Sequence, residues 1–240
     1  MLFAPNLAWR DEPLKQRLES IADIPVIIEN DANAAAWGEF THGVGREADD
    51  MVLVTVGTGI GGGVVVDGRL LRGAWGVAAE LGHLRVVPDG IRCGCGNRGC
   101  WEQYASGNAL VREARAMIEA GSPVVADLLA RLGGDANALT GPFITEAARE
   151  GDPTARELLA DIGEWLGIGL ANLASAFDPG LFVIGGGVSA ADEMLIGPAR
   201  EAFRRQLPGR GYRPEARIVR AVLGSDAGLI GAAELARAGR

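Results

Sequence analysis

The chain has 240 residues, of which 48% are hydrophobic and 22% charged, and it carries a formal net charge of −8. The size suits one large domain or two small lobes, and the acidic balance argues against a nucleic-acid partner, because the arginines between Arg200 and Arg220 read as solvated surface rather than a basic stripe. No apolar run approaches the ~20 residues of a membrane span, and Met1 to Arg10 has no basic stretch ahead of an apolar core, so a cytoplasmic protein with no membrane partner is expected.

Leu14 to Leu18 read as part of a short amphipathic helix, and Val26 to Ile28 as a compact strand after Pro25. Asn30-Asp31 follow, and an alanine-rich helix covers Ala32 to Phe40. Met51 to Val56 is a β-branched strand, then comes the glycine loop Thr58-Gly59-Ile60-Gly61-Gly62-Gly63. A strand over Val64 to Val66 turns at Asp67-Gly68 and returns through Arg69 to Leu71. Gly76 to Cys100 shows little periodicity. Helices are expected over Asn108 to Ala120 and Pro123 to Leu132. A long helix starts at Asp152-Pro153, with Asp as cap and Pro in the first turn, and keeps its apolar period to Phe177. Leu181 to Ile184 is a buried strand, Gly185-Gly186-Gly187 a turn, and Asp192 to Phe203 a helix. Ile218 to Leu223 is the last strand and Ala227 to Ala238 the last helix. The order indicates an α/β or α+β fold without internal repeats.

The three cysteines fall within eight residues, in the pattern His83-x9-Cys93-x-Cys95-x4-Cys100. An odd cysteine count argues against a disulfide framework. Thiolate and imidazole are ligands that zinc prefers, and a Cys3His set fills a tetrahedral shell, so the expected ion is a structural Zn2+ held by His83, Cys93, Cys95 and Cys100. Gly94, Gly96 and Gly99 let the backbone wrap one ion. Three unpaired buried cysteines are the plainer alternative, which the polar Arg92, Asn97 and Arg98 disfavour.

Asp31 stands where a strand is expected to end and a helix to begin, the place where ligands gather in open α/β sheets. A carboxylate there can take a proton from an attacking hydroxyl, while Asn30 offers both donor and acceptor to neighbouring hydroxyls. Taken alone, Asn30-Asp31 reads first as a helix cap. Glu80 and Glu102 alone read as surface glutamates. The loop at Thr58-Gly59 could present N–H groups to phosphates, but it lacks the Gly-Lys-Ser/Thr ending of a Walker A loop. Gly186-Gly187-Val188 follows a strand and precedes a helix, which suits a nucleotide. For both loops a tight turn is an equal reading.

Together these segments resemble the ROK family of repressors, open-reading-frame proteins and sugar kinases, and within it the actinobacterial-type glucokinases. The carrying residues are Glu29 to Ala36, Gly57 to Gly63, Glu80-Leu81-Gly82-His83, Cys93 to Glu102, and Ile184 to Ser189. The resemblance implies a two-lobed α/β sugar kinase of the actin-like ATPase (ribonuclease H-like) type with its first lobe incomplete. Residues 1–35 would be the remnant of the small lobe, 36–226 the large lobe with the zinc loop, and 227–240 a helix returning to the small lobe. It implies ATP-dependent phosphorylation of glucose at the 6-hydroxyl, with Asp31 as general base and Asn30, Glu80, His83 and Glu102 on the sugar ring. His83 would use one nitrogen for zinc and the other for the sugar. Thr58 and Gly59 would touch the ATP phosphates, Gly186, Gly187 and Val188 would lie near the adenosine, and Mg2+ would accompany ATP. The resemblance also implies a homo-oligomer, a dimer or tetramer. Family kinases open with an Asp-x-Gly-Gly-Thr-Lys segment that this chain lacks, so weak activity and exposed apolar surface on Val26 to Ile28, Leu229, Ile230 and Leu235 are expected. A kinase for another hexose or N-acetylhexosamine, a sugar-responsive repressor and a non-catalytic zinc-stabilised sugar-binding module are the alternatives.

Overall fold

The computed structural model describes residues 3–4 and 9–239. Two short strands, β1 (Phe3–Ala4) and β2 (Trp9–Arg10), pair antiparallel and lead into helix α1 (Leu14–Ala22). Helix α2 (Asp31–Thr41) precedes β3 (Met51–Val56), β4 (Ile60–Val66) and β5 (Arg69–Leu70). The cysteine segment ends in α3 (Glu102–Ala105), followed by α4 (Gly107–Glu119), α5 (Ala126–Arg131), α6 (Gly141–Arg149) and α7 (Pro153–Phe177). Strand β6 (Leu181–Gly185), α8 (Glu193–Gln206), β7 (Arg217–Arg220) and α9 (Ala227–Arg237) complete the chain.

The main sheet has the order β5-β4-β3-β6-β7. β3 pairs antiparallel with β4, and β3, β6 and β7 run parallel, with Thr55 opposite Gly185 and Ile184 opposite Arg220. Strands covered on both faces read as near-continuous apolar runs, and β6 is buried at every position. Side chains alternate between the faces. Val52, Val54, Phe182 and Ile184 point into a core shared with α4, α6, α7 and α8. Met51, Leu53, Leu181 and Val183 point into a second core with Ala36, Trp37 and Leu235 of α2 and α9. The result is a helix–sheet–helix sandwich.

Local chemistry fixes the element ends. Asp152 caps α7 by accepting from Ala155 N at 2.9 Å, with Pro153 in the first turn, and Asp178 closes the helix in a left-handed conformation. Glycine lets helices approach closely: a Cβ on Gly231 of α9 would lie 1.7 Å from the Ala34 carbonyl oxygen of α2. Glu39 completes this joint. It is wholly buried, its Oε1 accepts from Val222 N at 2.9 Å and Leu223 N at 2.7 Å, and its Oε2 accepts from Val44 N at 3.2 Å.

Several expectations need correction. Val26 to Ile28 form no strand; the segment has no ladder partner among the described residues, and Ile27 is 41% exposed. β-branched composition cannot make a strand without a neighbour to pair with. The glycine run after Thr58 is mostly strand, since β4 begins at Ile60. The glycines there serve packing: a Cβ on Gly63 would lie 2.4 Å from Ala36 Cβ. β7 ends at Arg220: Ala221 N still donates to the Ile184 carbonyl, and the N–H groups of Val222 and Leu223 then turn to Glu39. Helix α6, capped by Thr140, has no counterpart in the sequence reading. Leu229 is exposed as expected and Ile230 is half-buried, but Leu235 is buried in the core with Trp37 and Leu70.

Two measurements test this packing. Glu39→Ala strands buried N–H groups and should destabilise the fold by about 3–5 kcal/mol in urea unfolding, since each orphaned buried group costs about 1–3 kcal/mol. On α7, burial and then the neighbouring Glu157, Glu164 and Glu113 hold the Asp161 carboxyl above its ordinary value of 3.8. A raised carboxyl contributes stability only at acid pH and loses it as pH rises through the folded value. Asp161 is exposed, so solvent screens much of this effect; Asp161→Asn should raise Tm at pH 7 by no more than about 1 °C, and the gain should vanish near pH 3.

Candidate active site and metal centre

The parallel strands β3, β6 and β7 end together, and the loops there carry the phosphate candidates, as expected for an open α/β sheet. After β3, the Gly57 carbonyl accepts from Gly107 N at 2.7 Å and the Thr58 carbonyl from Asn108 N at 3.4 Å, so the start of α4 holds the turn. After β6, Gly186 adopts φ +81, a left-handed conformation, and a Cβ there would lie 2.5 Å from the Val56 carbonyl oxygen. Ser189 Oγ donates to the Gly186 carbonyl at 2.7 Å. A Cβ on Gly107 would meet Val188 at 3.2 Å. Thr58, Gly59, Gly186, Gly187 and Val188 are thus brought to one end of the sheet.

Helix α2 delivers Asn30 and Asp31 to the end of the sheet where β4 begins. Asn30 is the N-cap and its Oδ1 accepts from Asn33 N at 3.0 Å, which leaves its amide N–H groups for a ligand. The cap reading and a ligand role are compatible. Asp31 is exposed, and its Oδ1 accepts from Ala32 N at 2.9 Å. A Cβ on Gly61, two residues past Gly59, would stand 3.2 Å from Ala32 Cβ. The helix therefore starts over the beginning of β4.

Glu80, Leu81, Gly82 and His83 form a single 3-10 turn on the same strand. Leu81 fills the space above Gly62, and a Cβ on Gly82 would lie 2.3 Å from the Ile60 carbonyl oxygen. Glu80 is exposed and His83 half-buried.

The donor atoms of His83, Cys93, Cys95 and Cys100 all lie within 4.8 Å of one another. Cys95 Sγ is 3.6 Å from Cys100 Sγ, and Cys93 Sγ is 3.7 Å from His83 Nδ1. A tetrahedral zinc with Zn–S of about 2.3 Å sets its ligands roughly 3.5–3.8 Å apart, so the quartet fits one zinc ion. The backbone shapes the knot: Cys93 N donates to the Asn97 carbonyl, Gly96 N to the Cys93 carbonyl, and Gly99 N to the Ile91 carbonyl. Burial pushes the Cys93 thiol up to about 12 and raises that of Cys100, while the Asn97 backbone N–H holds Cys95 below its ordinary value. A dication among them would favour all three thiolates.

The next two residues tie this knot to the phosphate loop. Trp101 is fully buried, lies over Gly169 of α7, and donates Nε1–H to the Trp165 carbonyl at 2.8 Å. Glu102 follows it. Its Oε1 is 3.0 Å from Cys93 Sγ and 3.8 Å from His83 Nδ1, and its Oε2 would be 2.6 Å from a Cβ on Gly59. With Nδ1 facing the cysteines, His83 Nε2 remains for another partner.

Two residues in this neighbourhood escaped the sequence reading. Glu29 Oε2 accepts from Arg72 Nε at 2.6 Å, and its Oε1 accepts from Asn30 N and from the buried Asn33 side chain. Glu29 had a signal in its place beside Asn30, whereas Arg72 had none.

The ROK family model matches residues 1–239. The glucokinase of Streptomyces coelicolor is 50% identical over 98% of this chain and 74% of its own length. The structure of a ROK family glucokinase from Streptomyces griseus, in complex with glucose and AMPPNP, superposes with a TM-score of 0.91 at 53% identity, covering 99% of this chain and 76% of that one. A ROK family transcriptional regulator, a homolog of the E. coli MLC protein, superposes with a TM-score of 0.87 at 31% identity, covering 99% and 58%. The chain belongs to the ROK family, and its fold is the α/β, actin-like ATPase fold of the ROK sugar kinases.

Removing one ligand should open the knot. Cys95→Ser is expected to lower bound metal from one zinc per chain to well under half, read by elemental analysis, and to make residues 84–100 protease-sensitive. Full retention of zinc would exclude Cys95 as a ligand.

Proposed function

We propose that this chain is a glucokinase, transferring the γ-phosphoryl group of ATP to the 6-hydroxyl of glucose. The observation that carries the reading is the position of Glu102, whose carboxylate lies between the cysteine knot and Gly59 of the phosphate loop. A candidate sugar contact and a candidate phosphate contact are therefore neighbours at the sheet end where α2 begins. The likeness to a kinase crystallised with glucose and a nucleotide supports the same reading.

The residues divide the work. Asp31 takes the proton from the 6-hydroxyl as its oxygen attacks the γ-phosphorus and ADP leaves. Asn30, Glu80, Glu102 and His83 Nε2 fix the ring, so that the attacking oxygen is held in line. Thr58 and Gly59 offer a hydroxyl and N–H groups to the phosphates, and Gly186, Gly187 and Val188 flank the adenosine. Magnesium bound with ATP supplies the charge neutralisation that phosphoryl transfer needs. Zinc serves structure: with four protein ligands it has no open position, and it would hold His83 and Glu102 in place. We assign residues 1–35 and 227–240 to one lobe and 36–226 to the other, with α2 and α9 packed on the sheet as the joint between them, and place the protein in the cytoplasm as a homo-oligomer. Among the described residues no helix is long and apolar enough to cross a membrane.

A coupled ADP-release assay with ATP, magnesium and a panel of hexoses and N-acetylhexosamines tests the proposal, with glucose expected as the preferred acceptor. In the same assay Asp31→Asn should lower kcat by about 10²–10⁴-fold, the usual contribution of a general base. Calorimetric glucose affinity should stay within about threefold of the parent, since Asn keeps the polar contacts. Turnover by the variant at the parent rate would remove Asp31 from the chemistry.

A further inference from the structure

The sugar site is built from two arms that are distant in sequence. One arm is the cap turn with Asn30 and Asp31. The other is the segment that leaves β5 at Leu71, loops through Gly73 to Val77 and descends into Glu80 and His83. Between the arms lies one ion pair. Arg72 Nε donates to Glu29 Oε2 at 2.6 Å across 43 residues, and the Glu29 side chain is only 13% exposed.

Both ends of that pair are anchored in their own arm. Glu29 Oε1 accepts from Asn30 N at 2.9 Å and from Asn33 Nδ2 at 3.0 Å, so one carboxylate orients the backbone of the cap and the first turn of α2. Asn33 is itself buried. On the other side, Leu71 N donates to the Val64 carbonyl at 2.8 Å, and the Arg72 carbonyl accepts from Ala78 N at 3.1 Å. This bond closes the loop at its base, next to Ala79 at φ +67 and the Glu80 turn. The loop tip contributes nothing to holding the arm: Trp75 is 86% and Val77 64% exposed. Arg72 Nη2 is buried and has no hydrogen-bond partner among the described residues, so the guanidinium is committed to this place by Nε and Glu29 alone.

We infer that the Glu29–Arg72 ion pair is a strap that sets the spacing between the Asn30–Asp31 arm and the Glu80–His83 arm, which makes both residues positioning residues for sugar recognition. A guanidinium–carboxylate bond in a half-buried setting is directional and stronger than a neutral hydrogen bond. Without it, the stretch from Arg72 to Ala79 hangs from the short β5 and the bonds at the base of its loop, while Leu81 in the core and Gly82 against the Ile60 carbonyl hold only the turn that follows. Ring hydroxyls bound from both arms then meet donors and acceptors whose mutual distance is no longer fixed, and misplacement of this kind weakens recognition steeply. The phosphate loops, held separately by α4 and by Val56, are untouched. The inference rests on the kinase reading above.

The test compares Arg72→Met, Arg72→Lys, Glu29→Gln and the Glu29→Gln/Arg72→Met double variant with the parent, each shown folded by circular dichroism and carrying its zinc. Glucose KM and calorimetric glucose Kd should rise at least tenfold in Arg72→Met, while ATP KM stays within about twofold. Arg72→Lys, which keeps a donor for Glu29, should recover part of the affinity. The double variant should bind glucose no worse than the poorer single variant, because one interaction is lost in all three. Amide hydrogen exchange should quicken in residues 30–33 and 79–83 together in Arg72→Met. Unchanged glucose affinity, an equal shift in ATP KM, or faster exchange in one arm alone would overturn the strap. A parent that neither binds nor phosphorylates glucose sinks the kinase reading instead, and the exchange experiment still decides whether the two arms are coupled.

Discussion

The close seating of α2 on the sheet is the constraint from which the site follows. Gly63 of β4 has no room for a side chain beneath Ala36, and Gly231 of α9 has none above Ala34. The helix is therefore held between the strand and α9 at backbone contact distance, and it cannot slide or rotate without collision, as expected of a close-packed interior. Its first residue, Asp31, is placed by this packing at the sheet end. The buried Glu39 fixes the other end of the helix by receiving the N–H groups that follow β7. A single helix thus links the base candidate to the start of the last helix.

A second rigid body meets it there. The cysteine knot is a loop with few apolar side chains, and its position is set by three kinds of force: the convergence of four soft donors suited to zinc, the burial of Trp101 against α7, and the turns at Gly96 and Gly99. Glu102 follows Trp101 directly, so the aromatic anchor also aims the carboxylate. The candidate metal ligands and the candidate sugar contacts are in this way one assembly, with His83 a member of the quartet and Glu102 in contact with it. The family contains kinases and regulators of the same fold, and fold alone does not choose between them. The adjacency of Glu102 and Gly59, at the end of the sheet where α2 begins, is what argues for phosphoryl transfer here.

Much of this architecture was legible in the residues. The β-branched run Met51 to Val56, the Asp152-Pro153 start of α7 and the Cys3His spacing are local signals, each fixed by neighbours a few residues away. The errors are equally physical. Val26 to Ile28 has strand composition but no partner edge. Gly61 to Gly63 reads as a loop although it is a strand thinned to admit α2 and Leu81. Leu235 looks exposed in isolation but is covered by Trp37 and Leu70.

By itself, then, the sequence determined most of the element types, the donor set for zinc and the identity of the polar groups that could serve a sugar and a nucleotide, because those properties reside in single residues and short periods. Only the tertiary structure decided which of these groups become neighbours. Arg72 reaches Glu29 across 43 residues and Glu39 reaches Val222 across 183. Glu102 comes to lie against Gly59 through the burial of Trp101 on a distant helix. No local pattern encodes such pairs, since they form only when packing of the two cores has brought separate segments within hydrogen-bond reach.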